Sequence, residues 1–398
     1  MAASVAVLVS ACGAPPDETP TGGAEPSSEP APTASPTPTP TSTPEPRTAT
    51  VAMNGDLLWH NTLWFGAQED ARAAGRKGDD DYDFAPLLAG VRPVVEGADL
   101  GICHNEVPVA EAGGPYEGYP MFIAPPHTLD GVKETGYDMC TTASNHSLDD
   151  GFEGIERTLD GMDERGILHV GTARSEKEAS TPTLFTTESG VKIAVVTGTY
   201  GTNGIPVPDD KPWAVQPLDP DALLDAARRA REAGADIVMA AMHGGEEYQT
   251  EPNEQQMSVA ERLTASPDVD LVYGHHAHVV QPITKVNGKW VVYGLGNLVA
   301  QHETDVPRGY EGITVRFTFT EAEPGADTDS ERPSFEVSSA EYFPTMVTRY
   351  SSGSPARTVL VKEALAGGDG DESRLEQARA RTAEAVNLLG DNDGLEER

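Results

Sequence analysis

The 398-residue sequence has few cysteines, few basic residues and no long hydrophobic run. Three cysteines exclude a small scaffold held together by many disulfides. The sequence contains only 28 Lys and Arg but 64 Asp and Glu, which gives a net charge of −36. A protein with this charge would repel nucleic-acid backbones and anionic lipid surfaces. No stretch of about 18 apolar residues predicts a membrane-spanning helix. The composition therefore indicates a protein without a nucleic-acid partner.

Residues 1–12 are typical of the end of a bacterial lipoprotein signal. A short apolar run, Val5–Val9, precedes Ser10, Ala11 and Cys12, and the Cys12 thiol would carry the lipid. The run is short for a signal and no Lys or Arg precedes it, so we expect the true start to lie further upstream. The alternative is an accidental Cys after a weak apolar patch. The lipoprotein interpretation predicts an extracytoplasmic protein anchored to the cell membrane by lipid.

The next segment, residues 13–47, consists almost entirely of Pro, Thr, Ser, Glu, Ala and Gly. Such a composition cannot bury a core and favours an extended, disordered chain with some polyproline II. We predict a tether that holds a folded domain, residues 48–350, away from the membrane. A C-terminal extension, residues 351–398, would follow with a charged helix at Glu372–Leu388 and a frayed tail at Asp391–Arg398.

Two cysteines, Cys103 and Cys140, lie within the predicted domain. They could form a disulfide outside the cytoplasm, or both could remain buried thiols, and the sequence leaves both alternatives open. We expect free thiols.

Short apolar runs alternate with helical patterns along the predicted domain, which indicates an α/β fold with a mixed sheet or two packed sheets. The predicted strands are Thr48–Met53, Ala98–Cys103, Tyr137–Thr142, Ile167–Val170, Ile237–Met242, Val269–Tyr273, Ser334–Glu341 and Thr358–Val361. The predicted helices are Thr128–Thr135, Phe152–Arg165, Asp221–Ala233 and Glu254–Ala265. Phe84–Val95 also has helical spacing, which Pro93 interrupts near the end. Two hairpins are predicted, Thr183–Thr187 with Val191–Thr197 and Val280–Val286 with Lys289–Tyr293.

Five strand-like runs end in side chains that can bind a metal or move a proton. These side chains are Asp56, Asn105 and Glu106, Asn145 and His146, His243, and finally His275, His276 and His278. Ligand sites of open α/β folds lie at the carboxyl ends of strands, so these side chains can converge. Carboxylate, amide and imidazole ligands suit Zn, Mn, Fe, Co or Mg. One carboxylate could bridge two ions about 3.5–4 Å apart, an arrangement that promotes phosphoester displacement.

Each of these signals has an ordinary structural explanation when it is taken alone. A Gly-Asp pair is usually a turn, and a single His such as His243 after an apolar strand is usually structural. Three His within residues 275–278 are harder to explain by packing. Five of the ten His in the chain belong to this set, and the joint pattern therefore indicates a site.

Six ordered motifs resemble the bacterial capsule-synthesis (CapA, poly-γ-glutamate) family, which is similar to the calcineurin-like metallophosphatases. The motifs are Gly55-Asp56, Asn105-Glu106, residues 145–151, residues 243–248 with Pro252, residues 274–282 and residues 292–297. The resemblance extends from residue 48 to 300 and more loosely to 350. It implies a metallophosphatase-like sandwich of two mixed β-sheets flanked by helices.

The resemblance also implies roles for individual residues. Asp56 would bind one metal, Glu106 would bridge, Asn145 would bind the second metal and His146 would be the general acid. Asp56, Glu106 and His146 would form the catalytic set. The two metal shells would be completed by His243, His276 and His278, with His275 as the alternative to His276 and His60 as a further candidate ligand or substrate contact.

Two departures from the metallophosphatase pattern bear on the number of metals. Metallophosphatases usually begin with Asp-x-His, but Asp56 is followed by Leu57 and Leu58. The bridging position holds Glu106 where Asp is usual. We therefore expect one or two divalent ions, drawn from Mn, Zn, Fe and Mg.

Three functions remain open from the sequence. The first is a metal-dependent hydrolase of the cell envelope that acts on a phosphoester or on a linkage of an anionic polymer. The second is a non-catalytic accessory protein that guides an anionic polymer such as poly-γ-glutamate beside membrane-embedded synthesis or export proteins. The third is a structural module with a dead site. The net charge of −36 disfavours simple electrostatic capture of a polyanion.

Overall fold

The computed structural model describes residues 45–78, 80–301, 306–322 and 333–398, and the residues from Glu45 onward form one compact unit. Cys12 and nearly all of the predicted tether lie outside the described residues. Within these ranges, no helix has the length and apolar character needed to cross a membrane.

Strands and helices alternate along most of the described chain, as predicted. The strands are β1 (Thr48–Leu57), β2 (Leu100–Asn105), β3 (Met139–Thr141), β4 (Leu168–Val170), β5 (Leu184–Thr186), β6 (Lys192–Thr199), β7 (Ile237–His243), β8 (Leu271–His275), β9 (Ile283–Val286), β10 (Lys289–Val292), β11 (Asn297–Val299), β12 (Glu311–Glu321), β13 (Phe335–Val347), β14 (Thr358–Leu360) and β15 (Leu395–Glu397). The helices are α1 (Asn61–Ala73), α2 (Ala85–Leu88), α3 (Arg92–Val95), α4 (Thr128–Thr135), α5 (Gly151–Glu164), α6 (Glu176–Ser180), α7 (Pro220–Glu232), α8 (Glu254–Thr264), α9 (Val361–Gly367) and α10 (Glu372–Val386), with a 3₁₀ helix at Pro307–Tyr310.

The strands form two mixed sheets. The first has the order β14-β13-β12-β1-β2-β3-β4, with β11 also paired to β1 and β15 to β13. The second has the order β5-β6-β7-β8-β10-β9. Strands β1 to β4 run parallel, as do β6, β7, β8 and β10, whereas β12, β13, β14, β5 and β9 pair antiparallel. Both predicted hairpins are confirmed as β5–β6 and β9–β10.

Three apolar layers hold the sheets and helices together. Alternate residues of both sheets, such as Met53 and Ile102 from the first and Met239 from the second, form a core between the sheets. A second layer, which includes Trp59, lies under the helices beside the first sheet, and a third, which includes Leu223, lies under α7 and α8. Each fully buried large side chain contributes about 1.5–3 kcal/mol. The predicted fold class, a sandwich of two mixed sheets flanked by helices, is confirmed.

Local sequence signals fix the helices on the second sheet. Asp219 caps α7 by accepting a hydrogen bond from the Ala222 N–H at 2.9 Å, and Pro220 occupies the first turn. Asn253 and Gln256 form a reciprocal capping box at the start of α8. The buried Gln256 also donates to Gln281 Oε1 at 2.7 Å, so α8 supports the chain segment that follows β8.

The helical segment predicted over Phe84–Val95, with an interruption at Pro93, consists of two short helices, α2 and α3. Proline lies in the first turn of each short helix, at Pro86 and Pro93. Proline lacks an N–H and fits the first turn of a helix but not its interior, so Pro93 starts a new helix and does not continue α2.

The C-terminal residues are packed against the first sheet, and the frayed tail predicted over Asp391–Arg398 is wrong. β15 pairs in parallel with β13, and the Arg398 guanidinium donates to Glu341 at 2.6 Å. Helix α10, predicted over Glu372–Leu388, is confirmed and ends two residues earlier. Its residues Arg374 and Arg381 both form ion pairs with the buried Glu311 at the start of β12.

Cys103 and Cys140 form a disulfide, so the expectation of free thiols is wrong. β2 and β3 are parallel neighbours in which Cys103 stands opposite Cys140, with their Cα atoms 4.5 Å apart. The two side chains therefore point to the same, helix-covered face of the sheet.

Removing this disulfide should lower the free energy of unfolding by about 4 kcal/mol, because the bond closes a long loop in the unfolded chain. The sequence separation of the two cysteines is 37 residues. For a unit of this size the loss corresponds to a fall in Tm of about 5 °C. We expect that shift in the Cys103→Ala, Cys140→Ala double variant and in reduced wild-type protein, measured by thermal unfolding. Reductant should not change the double variant, and an unchanged wild-type Tm on reduction would contradict the prediction.

Candidate metal centre

The candidate side chains meet where parallel strands of both sheets end. Asp56 lies at the end of β1, His104 and Glu106 at the end of β2, His243 at the end of β7 and His275 at the end of β8. All five side chains are buried. Strands from two sheets therefore contribute to one centre, as expected for a ligand site at the carboxyl ends of strands.

Two trios of metal-ligand residues lie side by side at this centre, and in each the ligand atoms lie within 4.8 Å of one another. The first trio is Asp56, His104 and His275. The second trio is Glu106, His276 and His278.

Asp56 is held as a charged acceptor in the first trio. His275 Nδ1 donates to one carboxylate oxygen at 2.6 Å, and the backbone N–H of His276 donates to the other at 3.1 Å. Burial alone would raise the pKa of Asp56, but the hydrogen bonds from His275 and His278 hold it well below the usual value. His275 Nε2 has no hydrogen-bond partner among the described residues.

His104 was not among the predicted site residues. Its ring stacks on His275 with centroids 4.1 Å apart, and its Nε2 lies 2.9 Å from His243 Nδ1. Burial lowers the pKa of His104 well below its usual value, so the ring is neutral. Side chains alternate along a strand, so His104 and Glu106 share one face of β2 while Asn105 points to the other. Asn105 instead accepts from the Trp59 indole N–H at 3.1 Å, outside both trios.

Glu106 is the least satisfied polar group of the centre. Neither carboxylate oxygen has a hydrogen-bond partner among the described residues, although the side chain is buried. His278 Nε2 lies 3.7 Å and His243 Nε2 4.0 Å from its Oε1. Burial raises the pKa of Glu106 to about 7. An unpaired buried carboxylate costs several kcal/mol unless a cation neutralises it, so this residue fits a divalent metal.

Asn145 and His243 face the same space as Glu106. The Asn145 amide oxygen lies 2.6 Å from His243 Nε2, and its amide N–H donates to Asn203 Oδ1 at 3.1 Å. Burial lowers the pKa of His243 well below its usual value, which leaves a neutral imidazole. A neutral imidazole and an amide oxygen are both suitable metal ligands.

The turn after β8 is held in an uncommon conformation. His276 and His278 have φ values of 89° and 55°, in a region that costs a non-glycine residue about 1–3 kcal/mol. His278 Nδ1 donates to Asn297 Oδ1 at 2.9 Å. At Gly274, an added Cβ would lie 2.0 Å from the Tyr293 carbonyl oxygen, so only glycine fits there. The surrounding backbone therefore imposes this turn.

The turn also separates the two candidate histidines. His275 faces Asp56, whereas His276 belongs to the trio with Glu106 and His278, which favours His276 as the partner of His278 in that trio. Burial lowers the pKa of His276 to about 3. Burial alone would also lower the pKa of His278, but Glu106 and Asp56 raise it to about 10.

His146 lies beside the trios and is oriented by a carboxylate. Its Nδ1 lies 2.6 Å from Asp149 Oδ2, which also accepts the Phe122 backbone N–H at 2.7 Å. Asn203, which binds Asn145, also approaches His146 Nδ1 with its amide nitrogen at 3.4 Å. This arrangement leaves Nε2 of His146 as the nitrogen available for proton exchange.

His60 lies outside both trios. Its ring packs edge-on against Phe122 at 5.2 Å, and its Nδ1 accepts the Gln301 backbone N–H at 3.2 Å. Leu58 occupies the place of the missing His in the Asp-x-His pattern and is buried. The second imidazole beside Asp56 comes instead from His104 on the neighbouring strand.

A separate cavity of about 500 Å³ lies beside β4, β6 and α7 and shares no lining residue with the two trios. Its polar lining includes His169, Arg174 and Glu178, which are ion-paired with one another or with nearby carboxylates. The described chain thus concentrates its metal-ligand groups at the strand ends and not in this cavity.

Comparisons with known proteins place the chain within a family. Residues 50–302 match the family model described as bacterial capsule synthesis protein PGA_cap. The chain is 31% identical over 169 residues to the PGA biosynthesis protein CapA of Bacillus subtilis, across 42% of this chain and 44% of that protein. It is 28% identical over 176 residues to the capsule biosynthesis protein CapA of Bacillus anthracis, across 43% and 42%. The matches thus span less than half the length of these relatives.

Solved structures give a weaker similarity. The calcineurin-like phosphoesterase YfkN of Bacillus subtilis superposes with a TM-score of 0.43 at 14% identity, covering 85% of this chain and 97% of that one. Similarity at this level does not define the chemistry of the site. The family match covers more than half of the chain, and the matched residues 50–302 include all six side chains of the two trios. The chain belongs to the family of bacterial capsule synthesis proteins PGA_cap.

Proposed function

We propose that this protein is a divalent-metal-dependent hydrolase that cleaves a phosphoester in the cell envelope. The observation that carries the proposal is the buried, unpartnered carboxylate of Glu106 at the contact of the two trios. Unpartnered nitrogens of His275 and His276 accompany it. Burying these groups without hydrogen bonds costs free energy that a bound divalent cation would offset.

The residues divide into two candidate metal shells that share Glu106. Asp56 and His278 would hold one ion, and Asn145, His243 and His276 would hold the other, so the two histidines of the Glu106 trio would bind different ions. Bound divalent ions would lower the pKa of a water molecule and stabilise negative charge on a phosphoryl group. His104 and His275 support these groups from behind, because they contact His243 and Asp56 respectively.

The chain supplies the proton for the leaving group. Hydrolysis forms a bond between a water oxygen and phosphorus and breaks the bond from phosphorus to the leaving oxygen. The leaving oxygen takes a proton from His146 Nε2, and the proton lost by water passes to solvent. Asp149 holds Nδ1 of His146 and so leaves Nε2 as the nitrogen that donates the proton.

We also propose that the protein works outside the cytoplasm, anchored by lipid at Cys12, in the synthesis of a capsule or another anionic envelope polymer. The lipoprotein pattern at residues 1–12 and the tether composition support the anchor. The Cys103–Cys140 disulfide supports an oxidising compartment. The family and the names of the Bacillus relatives support the link to capsule and poly-γ-glutamate synthesis. We propose membrane-embedded synthesis or export proteins as its partners.

A second candidate is a non-catalytic accessory protein that binds or guides the polymer. The names of the relatives, which refer to biosynthesis and not to hydrolysis, favour it. The net charge of −36 opposes it, because a polyglutamate chain would be repelled. Tight polymer binding without turnover in metal-loaded protein would favour the accessory function over the hydrolase.

Metal content tests the proposal directly. We expect about two ions per chain by mass spectrometry after loading with Mn or Zn. His243→Ala and His278→Ala should each lose at least one ion, whereas His169→Ala, on β4 and outside the trios, should keep both. Chelation should abolish phosphodiester hydrolysis, and added Mn or Zn should restore it.

The alternative outcomes are distinct. One ion per chain would indicate that only one shell is complete. No bound metal under any loading condition, or full hydrolysis in a metal-free sample, would overturn the hydrolase proposal.

A further inference from the structure

Exposed tyrosines surround the candidate metal centre. Among the described residues, seven large apolar side chains are strongly exposed, and three of them, Tyr119, Tyr200 and Tyr248, are 78%, 44% and 38% exposed. These three come from separate loops, after β2, β6 and β7. Exposed aromatic rings gathered from distant parts of a sequence usually mark a binding surface.

Two of the rings border residues of the site, and the third is connected to it through Phe122. The Tyr200 centroid lies 4.5 Å from the His276 ring, and the Tyr248 centroid lies 6.1 Å from the His278 ring. Tyr119 lies 6.3 Å from Phe122, whose ring is 5.0 Å from His146. We call Tyr119, Tyr200 and Tyr248 the tyrosine rim. A substrate held at the trios would therefore contact the rim with the groups next to its phosphoester.

The charge beside the rim is negative. Glu246 and Glu247 are exposed and form no ion pair within the described residues. Burial, together with Glu247 and Glu106, raises the pKa of Tyr248 to about 12, and burial and the same carboxylates raise the pKa of Tyr200. The Glu247 carboxylate therefore acts on both rings. In the described part of the chain, no Lys or Arg forms an ion pair with Asp56 or Glu106.

We infer that the substrate carries a cationic ammonium group close to the scissile phosphoester, and that the tyrosine rim with Glu247 binds it. The inference rests on the proposed hydrolase function. Aromatic faces bind ammonium groups through the ring quadrupole, and adjacent carboxylates add direct attraction. The buried trios face the phosphoryl group, and the exposed rim faces the cation. The substrate class is thus a zwitterionic phosphoester.

Other substrate groups fit this surface less well. A polyanionic chain would meet Glu246 and Glu247 and a protein of net charge −36. A neutral group could stack on the rings but would gain nothing from unpaired carboxylates. A cation is attracted both by the aromatic rings and by the carboxylates beside them.

Two matched probes test the inference, the p-nitrophenyl phosphodiesters of choline and of 3,3-dimethylbutanol. They share a leaving group and a shape and differ only in the positive charge. We expect kcat/KM for the choline ester to be about tenfold higher. Glu247→Gln and Tyr200→Ala should lower this ratio toward one, and Tyr200→Phe should keep it because the ring remains. Glu188→Gln, an exposed carboxylate in the β5–β6 turn, should leave the ratio unchanged.

Binding of tetramethylammonium, followed by NMR, separates the two proposals. If both probes are hydrolysed at equal rates, the hydrolase proposal stands and the rim inference is overturned. If neither is hydrolysed but tetramethylammonium binds wild type and not Tyr200→Ala, the rim binds cations, and the hydrolase proposal is overturned together with the assignment of a phosphoester substrate. If neither binding nor a charge preference is seen, the rim inference is overturned.

Discussion

Replacing Glu106 by Gln should reduce phosphodiester hydrolysis by about 10³-fold, because the shared carboxylate of both shells is lost. Gln keeps the shape of the side chain, so the two sheets should pack as in wild type. The change removes a buried carboxylate whose oxygens accept no hydrogen bond from the described residues. Initial rates with a phosphodiester at saturating Mn, together with metal content, would measure the effect.

The same variant should change stability in opposite directions with and without metal. In metal-free protein at pH 8, Glu106 is a buried charge above its pKa of about 7, so Gln should raise the unfolding temperature. In metal-loaded wild type, ion binding stabilises the folded state, and Glu106→Gln should lose that gain. Glu188→Gln serves as the matched control and should show neither effect. A lower Tm for the variant in both conditions would contradict a metal-binding role for Glu106.

His146→Gln should slow the hydrolysis of alkyl phosphodiesters by about 10²–10⁴-fold, the range expected for loss of a general acid. A poor leaving group needs the proton from His146, whereas p-nitrophenolate departs without one. The loss should therefore be far smaller with nitrophenyl esters. Comparing kcat for the two ester classes in wild type and variant measures this difference.

Two controls separate proton donation from structural damage. Metal content should be unchanged in His146→Gln, because the side chain is in neither trio. Asp149→Asn should give a weaker form of the same leaving-group effect, since Asp149 holds the ring at 2.6 Å. An equal loss for both ester classes would instead assign His146 to positioning or metal binding.

Much of the fold could be predicted, because local patterns decide it. The predicted helix Thr128–Thr135 matches α4, and both hairpins occur where the turn residues indicated. The strand β12 was not predicted, and β13 proved longer than its predicted segment, Ser334–Glu341. β12 pairs with β1, a strand distant in sequence, and local patterns carry little information about such a pair. Helix α1 was also missed.

The predicted site residues converge, but the sequence could not give their orientations. Alternation along β2 would have selected His104 over Asn105, because Glu106 fixes the face of the strand. The different directions of His275 and His276 depend on the positive φ values after β8, which local sequence does not reveal. Asn203 and Tyr200 reach the site from a loop with no strand-end pattern. The disulfide required the register of β2 against β3, a property of tertiary structure.

The pairing of β1 with β12 shows that the folded unit extends further along the chain than the match to the family model. The family match ends at residue 302, but β1 is hydrogen-bonded to β12 from Thr48 to Asn54, and β12 begins at Glu311. A polypeptide cut at residue 302 would expose β1, a central strand, as a bare apolar edge prone to aggregation. The part of the sandwich that carries the two trios is thus protected from aggregation by a C-terminal segment whose described residues belong to neither trio.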